Sequence, residues 1–502
     1  MAFRYESADR SQMFLLPPAM ADWLAEDHLV WFVLDVVDLV DTSGFHDVYP
    51  NDGAGRPAYD PEVMLALLVY AYSIGVRSSR QIEKLCVSDV AFMVICGGLR
   101  PDHRTIARFR AVHEQAFHGA FYEILRLCAE AGLVTLGTIA IDGTKIAADA
   151  ARSANRSKSS IETELDKILA EIEAADAAQP NLAGELPAEF ASRGSRRARL
   201  EAALTEIEAA ETDADQHVAD RDARLAADAA AGRRPRGAKP KDPAAALAHA
   251  EADLAAAKVR HDRARSAEKR LQAASDSGRA EDAVKKARAK LEAAPPPPQR
   301  QSNTTDPQSR MMKTPLGWLQ GFNAQAAVNE LQIIIGVELT NDANDIGLYL
   351  PVLDATAEAL HHAGITNPIG MVLADAGYWS HTNATTGGPD RLIATQKDWK
   401  QRQAARAMGT TTGEPPEGAS VTEAMEHRLR TSEGADTYAK RSGIVEPVFG
   451  QLKENRGYRR FMRRGLTAAA SEWAIMTATH NLNKLYNFAA GQPLATIITP
   501  TT

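Results

Sequence analysis

Apolar positions recur at two different spacings along this 502-residue chain, and the change between them divides it into parts. Up to residue 135 they return every three or four residues, which is the period of a helix packed on one face. In PEVMLALLVYAYSIG (61–75), Asp60 is a natural N-cap and Pro61 suits the first helical position. Gly75 is placed to end that helix. Ser78 or Ser79 then caps SRQIEKLCV, and a third helix begins near Asp102 in PDHRTIARFRAVHEQAFHGAFYEILRLCAEAG. Helix, glycine turn and helix, with Arg77, Arg80, Arg104, Arg108 and Arg110 nearby, would suit DNA. A small helical bundle with a solvated face accounts for the same residues, and is the preferred reading.

After residue 152 the pattern thins. From about 153 to 302 the chain is rich in Ala, Glu, Asp, Lys and Arg, and nearly free of aromatic residues. Ile161, Leu165, Ile168 and Ile172 step by four, three and four; Leu200, Leu204 and Ile207 do the same, as do Val284, Ala287 and Leu291. Breaks fall at QPNLAGELP (179–187) and GRRPRGAKPKDP (232–243), and PPPP (295–298) closes the region. So narrow a stripe predicts two or three long helices in an antiparallel coiled-coil hairpin. A partly disordered charged linker is the alternative. Either way the stretch is an insertion.

From 303 the chain alternates strands and helices. GFNAQAAV and LQIIIGVELT predict two strands about a turn at Asn329-Glu330. LYLPVLDATAEALHHAG predicts an amphipathic helix, while IGMVLAD and RLIATQ predict buried strands. The missing first strand, LGTIAID (136–142), lies on the far side of the insertion. The expected fold class is thus an α/β domain with an all-α N-terminal domain and a long helical insertion. Its parts are 1–135, 136–152, 153–302, 303–486 and a tail, 487–502. SEWAIMTATHNLNKLY (471–486) closes the α/β part as a helix, and its His480 is read as a structural histidine.

Composition narrows the class. A formal net charge of −8 gives no general affinity for nucleic acid, yet net charge does not exclude a local basic groove. Residues 438–465, YAKRSGIVEPVFGQLKENRGYRRFMRRG, gather eight Lys and Arg against two Glu. Cys86, Cys96 and Cys128 lack metal or redox spacing and sit in apolar surroundings, as buried reduced thiols do. MAFRYESADRSQ lacks the apolar core of a signal peptide, and LVWFVLDVVDLV (29–40) is too short to span a bilayer. The expectation is a cytoplasmic protein without a membrane partner.

The candidate chemistry lies in carboxylates. Asp142 and Asp375 each end a predicted buried strand, where open α/β sheets hold their ligands. Each is also a turn residue, in Asp142-Gly143 and in Asp375 with Gly377. Together they would present two repelling carboxylates at one edge, and Mg²⁺ suits that place because it takes oxygen ligands and keeps water for phosphate. Glu446 would complete the set, next to an apolar helical face made by Ile444, Val445, Val448, Phe449 and Leu452. Lys453 follows seven residues on, nearly the same side of a helix. Pro447 either starts that helix or kinks it. The bland alternative is a surface glutamate paired with Arg441 or Lys440.

These residues resemble a known family. IDGTKI, TDPQSRMM (305–312), GFNAQAAV, LADAGY and the Tyr438, Arg441, Glu446, Lys453 pattern are similar to the DDE transposases of bacterial insertion sequences. The likeness is to the group with a helical N-terminal domain and an insertion after the first catalytic strand. Four residues separate Arg441 from Glu446, where the family pattern has three. The resemblance implies an RNase H-like catalytic core, DNA-end binding by the N-terminal domain, and catalytic, metal-binding Asp142, Asp375 and Glu446. It further implies two Mg²⁺ (or Mn²⁺) ions, cleavage at element ends, and attack of the freed 3′-OH on target DNA.

Lys453 and Arg441 would then hold phosphate, Tyr438 would position a base or backbone, and Lys145 is a further phosphate candidate. Arg456, Arg459, Arg460, Arg463 and Arg464 would form a sequence-independent footprint on the DNA backbone. Tyr458 and Phe461 either stack on an unpaired base or pack in the core. Pairing two DNA ends implies a dimer or higher assembly on DNA. Two other readings stand beside this one: an RNase H-like nuclease without strand transfer, and a non-catalytic coiled-coil DNA-binding scaffold. The insertion would dimerise, brace the ends, or touch DNA through RRPRGAKPK.

Overall fold

The computed structural model describes residues 19–49, 58–178, 188–235, 240–296, 299–396 and 407–498, with 400 and 403. MAFRYESADRSQ, QPNLAGELP, residues 236–239 of the basic break, 297–298 of the proline run and the last four residues lie outside that set. The chain divides into two compact units, Met1–Ser153 with Gln308–Thr502, and Ala154–Pro307.

The first unit begins with short helices. Asp60 accepts a hydrogen bond from the Glu62 amide and caps Pro61–Ser73, which ends at Gly75 with φ +81°. Ser78 precedes Ser79–Ser88, and Asp102 caps His103–Val112. The expected third helix is in fact two. His113 leaves helical geometry and bonds Phe109 O and Phe45 O through its two ring nitrogens, and Glu114–Glu130 starts afresh. The run 29–40 is also a helix, Leu29–Leu39.

Eight strands are described: β1 (Thr138–Ala147), β2 (Asn155–Ser157), β3 (Gln301–Asn303), β4 (Arg310–Thr314), β5 (Gly317–Asn329), β6 (Ile334–Thr340), β7 (Met371–Ala374) and β8 (Asp390–Ile393). Six of them form one mixed sheet in the order β4-β5-β1-β7-β8. β6 shares the outer edge of β5 with β4, opposite residues 323–328 and 317–321 respectively. β5 runs antiparallel to β1, and β1, β7 and β8 are parallel. Helix Tyr349–His362 crosses from β6 toward β7.

The last long helix, Leu466–Ala489, starts before and ends after the predicted 471–486. It is buried along most of its length and ties the N-terminal helices to the sheet. Asn481 exchanges hydrogen bonds with both backbone groups of Ile334, while Asn483 donates to Ser73 O. Tyr72, Phe121, Ile141, Leu373 and Trp473 therefore belong to one continuous hydrophobic core. None of the described helices is long and apolar enough to cross a membrane.

The second unit contains helices Lys158–Ala178, Ala188–Ala230, Pro243–Arg263 and Ala267–Glu292. Lys158 pairs with Glu208 and Glu211, while Glu164 pairs with Arg196, so the first two run antiparallel. Ile161, Ile168, Leu200, Ala203 and Ile207 form their small core, with Leu165 and Leu204 against it. The Ile172 side chain lies outside the described set. In the seam read through Val284, Ala287 and Leu291, the first two are half-buried and Leu291 is exposed. Buried Ala245, Ala252, Ala256, Ala257, Ala273 and Ala280 line the last two helices instead, because small side chains allow close backbone approach. β2 and β3 pair Asn155 with Asn303, so the unit's two ends meet.

Candidate active site

The site is built around the strand pair β1 and β7. Ile141 and Ala374 are their last paired residues, so Asp142 and Asp375 are the next on each strand. β1 does not end at Asp142, as the sequence suggested, and Asp142-Gly143 is no turn. Gly143 to Ala147 continue the ladder against Gln325 to Gly321 of β5. Long-range pairing overrides the local turn signal here. Gly143 has its own reason: a Cβ there would fall 2.1 Å from Gln325 Nε2. Asp375 does end β7, and its Oδ1 accepts the Gly377 amide at 2.8 Å. Its turn role and its place beside Asp142 are therefore compatible.

Asp142 accepts its neighbour's amide, Gly143 N, at 2.8 Å, and Arg441 Nη1 lies 3.1 Å from its other oxygen. Burial, then repulsion from Asp375, push the Asp142 carboxyl up to about 6, partly offset by Arg441. Arg441 Nη2 is also 3.9 Å from Glu446 Oε1. One buried guanidinium thus links Asp142 on the sheet with Glu446 on helix Ser432–Gly450. The Glu446 side chain is 61% exposed. Lys440, its other proposed partner, pairs with Glu330 at 3.0 Å.

Pro447 neither starts the helix nor ends it, but lies inside it. Proline offers no amide to the carbonyl four residues back. Gln332, from the β5–β6 turn, donates to that carbonyl, Gly443 O, at 3.1 Å. Ile444, Val445, Val448, Phe449 and Leu452 are all buried, as the spacing predicted. A π-helical turn, Gln451–Asn455, follows and shifts the register before Lys453. Lys453 Nζ donates to Lys145 O at 3.1 Å, and burial lowers its pKa. Tyr438 is half-buried and packs on the main core.

A layer of polar groups backs the aspartates, and the sequence reading missed its centre, Asp345. Its Oδ1 accepts Asn323 Nδ2 at 2.8 Å, Gln325 Nε2 at 3.0 Å and Lys145 Nζ at 3.1 Å. Lys145 is thus engaged by an internal carboxylate. Tyr378 is fully buried and donates to Gln325 Oε1; burial, then Asp142, Asp345 and Asp375, raise its pKa well above the usual value. The available signal was Asn323 and Gln325, two residues apart in an apolar strand and hence on one face.

The basic segment is bonded to the end of β1: Ala147 N donates to Arg459 O, and Phe461 N to Ala147 O at 2.8 Å. Its arginines do not all face outward. Arg463 is largely buried and pairs with Glu114, and Arg456 is half-buried. Arg459, Arg460 and Arg464 are exposed and pair with Glu454, Asp149 and Asp149. Tyr458 and Phe461 are completely buried, so neither can stack on a base. Among the described residues no three His, Cys, Asp or Glu side chains are grouped to hold a metal ion.

Residues 19–112 match the family described as a transposase domain (DUF772), and residues 397–486 match the transposase DDE domain. These two segments support an enzyme acting on DNA. Together they support a DDE transposase of insertion-sequence type. Glu446 and the basic segment fall inside the second match; Asp142 and Asp375 lie outside both. No curated protein and no solved structure matches the chain.

Proposed function

We propose that this transposase cuts DNA at element ends and joins the freed 3′-OH to target DNA, using Asp142, Asp375 and Glu446. The observation that carries the reading is the placement of Asp142 and Asp375 on adjacent parallel strands, each one residue beyond the last paired position. The antiparallel β6-β5-β1 run followed by parallel β7 and β8 supports an RNase H-like core.

The donor chemistry fits a hard divalent cation. Asp142 is buried beside a repelling carboxylate, which leaves a deficit of positive charge. Mg²⁺ or Mn²⁺, two ions in the full arrangement, would be held by Asp142 and Asp375 with Glu446 and would neutralise the phosphodiester. Arg441 supplies positive charge between Asp142 and Glu446 without DNA, holding both carboxylates near the sheet edge. Arg459, Arg460 and Arg464 exchange weak surface ion pairs for DNA phosphates. Lys453 and Lys145, half-buried and tied to each other, order the strand ends rather than reach far into solvent. The N-terminal helices would contribute to DNA-end binding, and two DNA ends call for a dimer or higher assembly in the cytoplasm.

Incubation with DNA carrying the element's ends and Mg²⁺, followed by mapping of 3′ termini, tests the reaction. Joined products are expected; cut but unjoined ends would favour a nuclease. Asp142→Ala, Asp375→Ala and Glu446→Ala should each lower cleavage to background while DNA binding persists. Cleavage retained in any two would remove the site assignment, and no cleavage by the unsubstituted chain would favour a scaffold.

A further inference from the structure

Arg77 lies in the turn between helices Pro61–Ser73 and Ser79–Ser88, Arg110 lies on helix His103–Val112, and the sequence offered both as DNA contacts. Both are turned inward. Arg110 is buried, donating to Tyr72 Oη at 3.1 Å, Arg77 O at 3.0 Å and Ser79 Oγ at 2.5 Å. Arg77 donates to Gly457 O at 2.9 Å and to Arg460 O, and its guanidinium lies 5.0 Å from the Tyr458 ring centroid. Its Nη1 is also 3.6 Å from Glu472 Oε1, on the last long helix.

Glu472 is 1% exposed and grips the same segment from the other end. Its Oε2 accepts the amides of Met462 at 2.7 Å and Arg463 at 3.2 Å, and Tyr72 Oη donates to Oε1 at 3.4 Å. Tyr458 Oη donates to Tyr72 O. Gly75, at φ +81°, allows the closest approach, since a Cβ there would lie 2.9 Å from Arg456 O. A buried ion pair gains little over apolar packing for stability alone. Here its bonds end on the main chain of one cationic segment: carbonyls at 457 and 460, amides at 462 and 463. The exposed arginines of that segment are Arg459, Arg460 and Arg464.

We propose that Arg77 and Glu472, supported by Tyr72 and Arg110, are positioning residues that fix the backbone of residues 457–464 so that Arg459, Arg460 and Arg464 meet DNA phosphates. The N-terminal helices thus act on DNA through the shape of the catalytic unit's basic segment. This rests on the reading of that segment as a phosphate-binding surface.

The test compares full-length Arg77→Lys and Glu472→Gln with Arg459→Ala and Arg464→Ala, on duplex DNA across a salt series. Lysine keeps the charge of Arg77 but lacks the fork that reaches two carbonyls, and a glutamine that still accepts the two amides turns its NH2 toward Arg77 and Tyr72 and breaks that pair. Either variant that folds suffices. The expected result is a Kd raised about tenfold, with a slope of log Kd against log salt shallower by about 1–2. Amide hydrogen exchange should quicken at 457–464 and stay unchanged in the sheet. If Arg459→Ala and Arg464→Ala leave DNA binding intact, the phosphate-binding reading fails. If they weaken it while Arg77→Lys and Glu472→Gln keep the parent's salt slope, the positioning role is overturned. Faster exchange throughout the unit with an unchanged slope would likewise overturn it, leaving a merely structural pair.

Discussion

Arg441 shows how far one side chain's surroundings govern its role. Buried between Asp142 and Glu446, it supplies positive charge to both carboxylates. Arg441→Gln should therefore destabilise the metal-free protein by roughly 3 kcal/mol at pH 8, because a charge partner of a buried carboxylate is lost. The loss should shrink at pH 5, below the raised value of about 6 for Asp142, where that carboxyl is protonated. Urea unfolding at both pH values checks it, and an equal loss at both would place the cost elsewhere. His480 gives the opposite sign. Burial pushes its imidazole down to about 3, so the unfolded chain binds the proton first as pH falls below its ordinary 6.5. Between pH 8 and pH 5 the protein should lose about 2 kcal/mol that His480→Gln retains. Parallel stability curves for the two would sink this account.

At the scale of elements, the helix carrying Glu446 depends on a strand turn for its continuity. Gln332, at φ +64°, donates to the carbonyl that Pro447 leaves without an amide, and also accepts His480 Nε2 and Lys484 Nζ. Gln332→Ala should cost about 1 kcal/mol. Part of that cost should vanish in a Pro447→Ala background, where the backbone amide returns. A double-mutant cycle with zero coupling would show that the turn does not complete the helix. Strand pairing tells the same story in β1. Asp142-Gly143 is a turn dipeptide by local chemistry, but β5 offers it nine residues of partner strand, and the strand runs through.

For the whole molecule, the insertion's ends are held together by β2 and β3, so its removal need not stretch the chain. Replacing residues 158–299 by a short Gly/Ser linker should leave the first unit folded, with a single unfolding transition, since loop closure costs little. Loss of that transition would show that the unit needs the insertion to fold. Five of the strands, the capped helices and the thin-seamed insertion were legible because periodicity and capping are local physics: Asp60-Pro61 and Ile161 to Ile168 carry their own signals, while β2, β3 and β4 do not. Asp375 was legible as a strand-end acid, whereas Asp142 was legible as an acid of the first strand but not as lying within it, and the cationic run was plain as charge. The destination of each cation was not, because charge alone does not say which partner is nearest. Only the fold turned Arg77 and Arg463 inward, gave Lys145 to Asp345, and buried Tyr458 and Phe461. By itself the sequence determined the elements and the acids that the proposed chemistry needs. The tertiary structure decided which charges face each other, because partners such as Tyr72 and Glu472 are four hundred residues apart and meet only across the shared core.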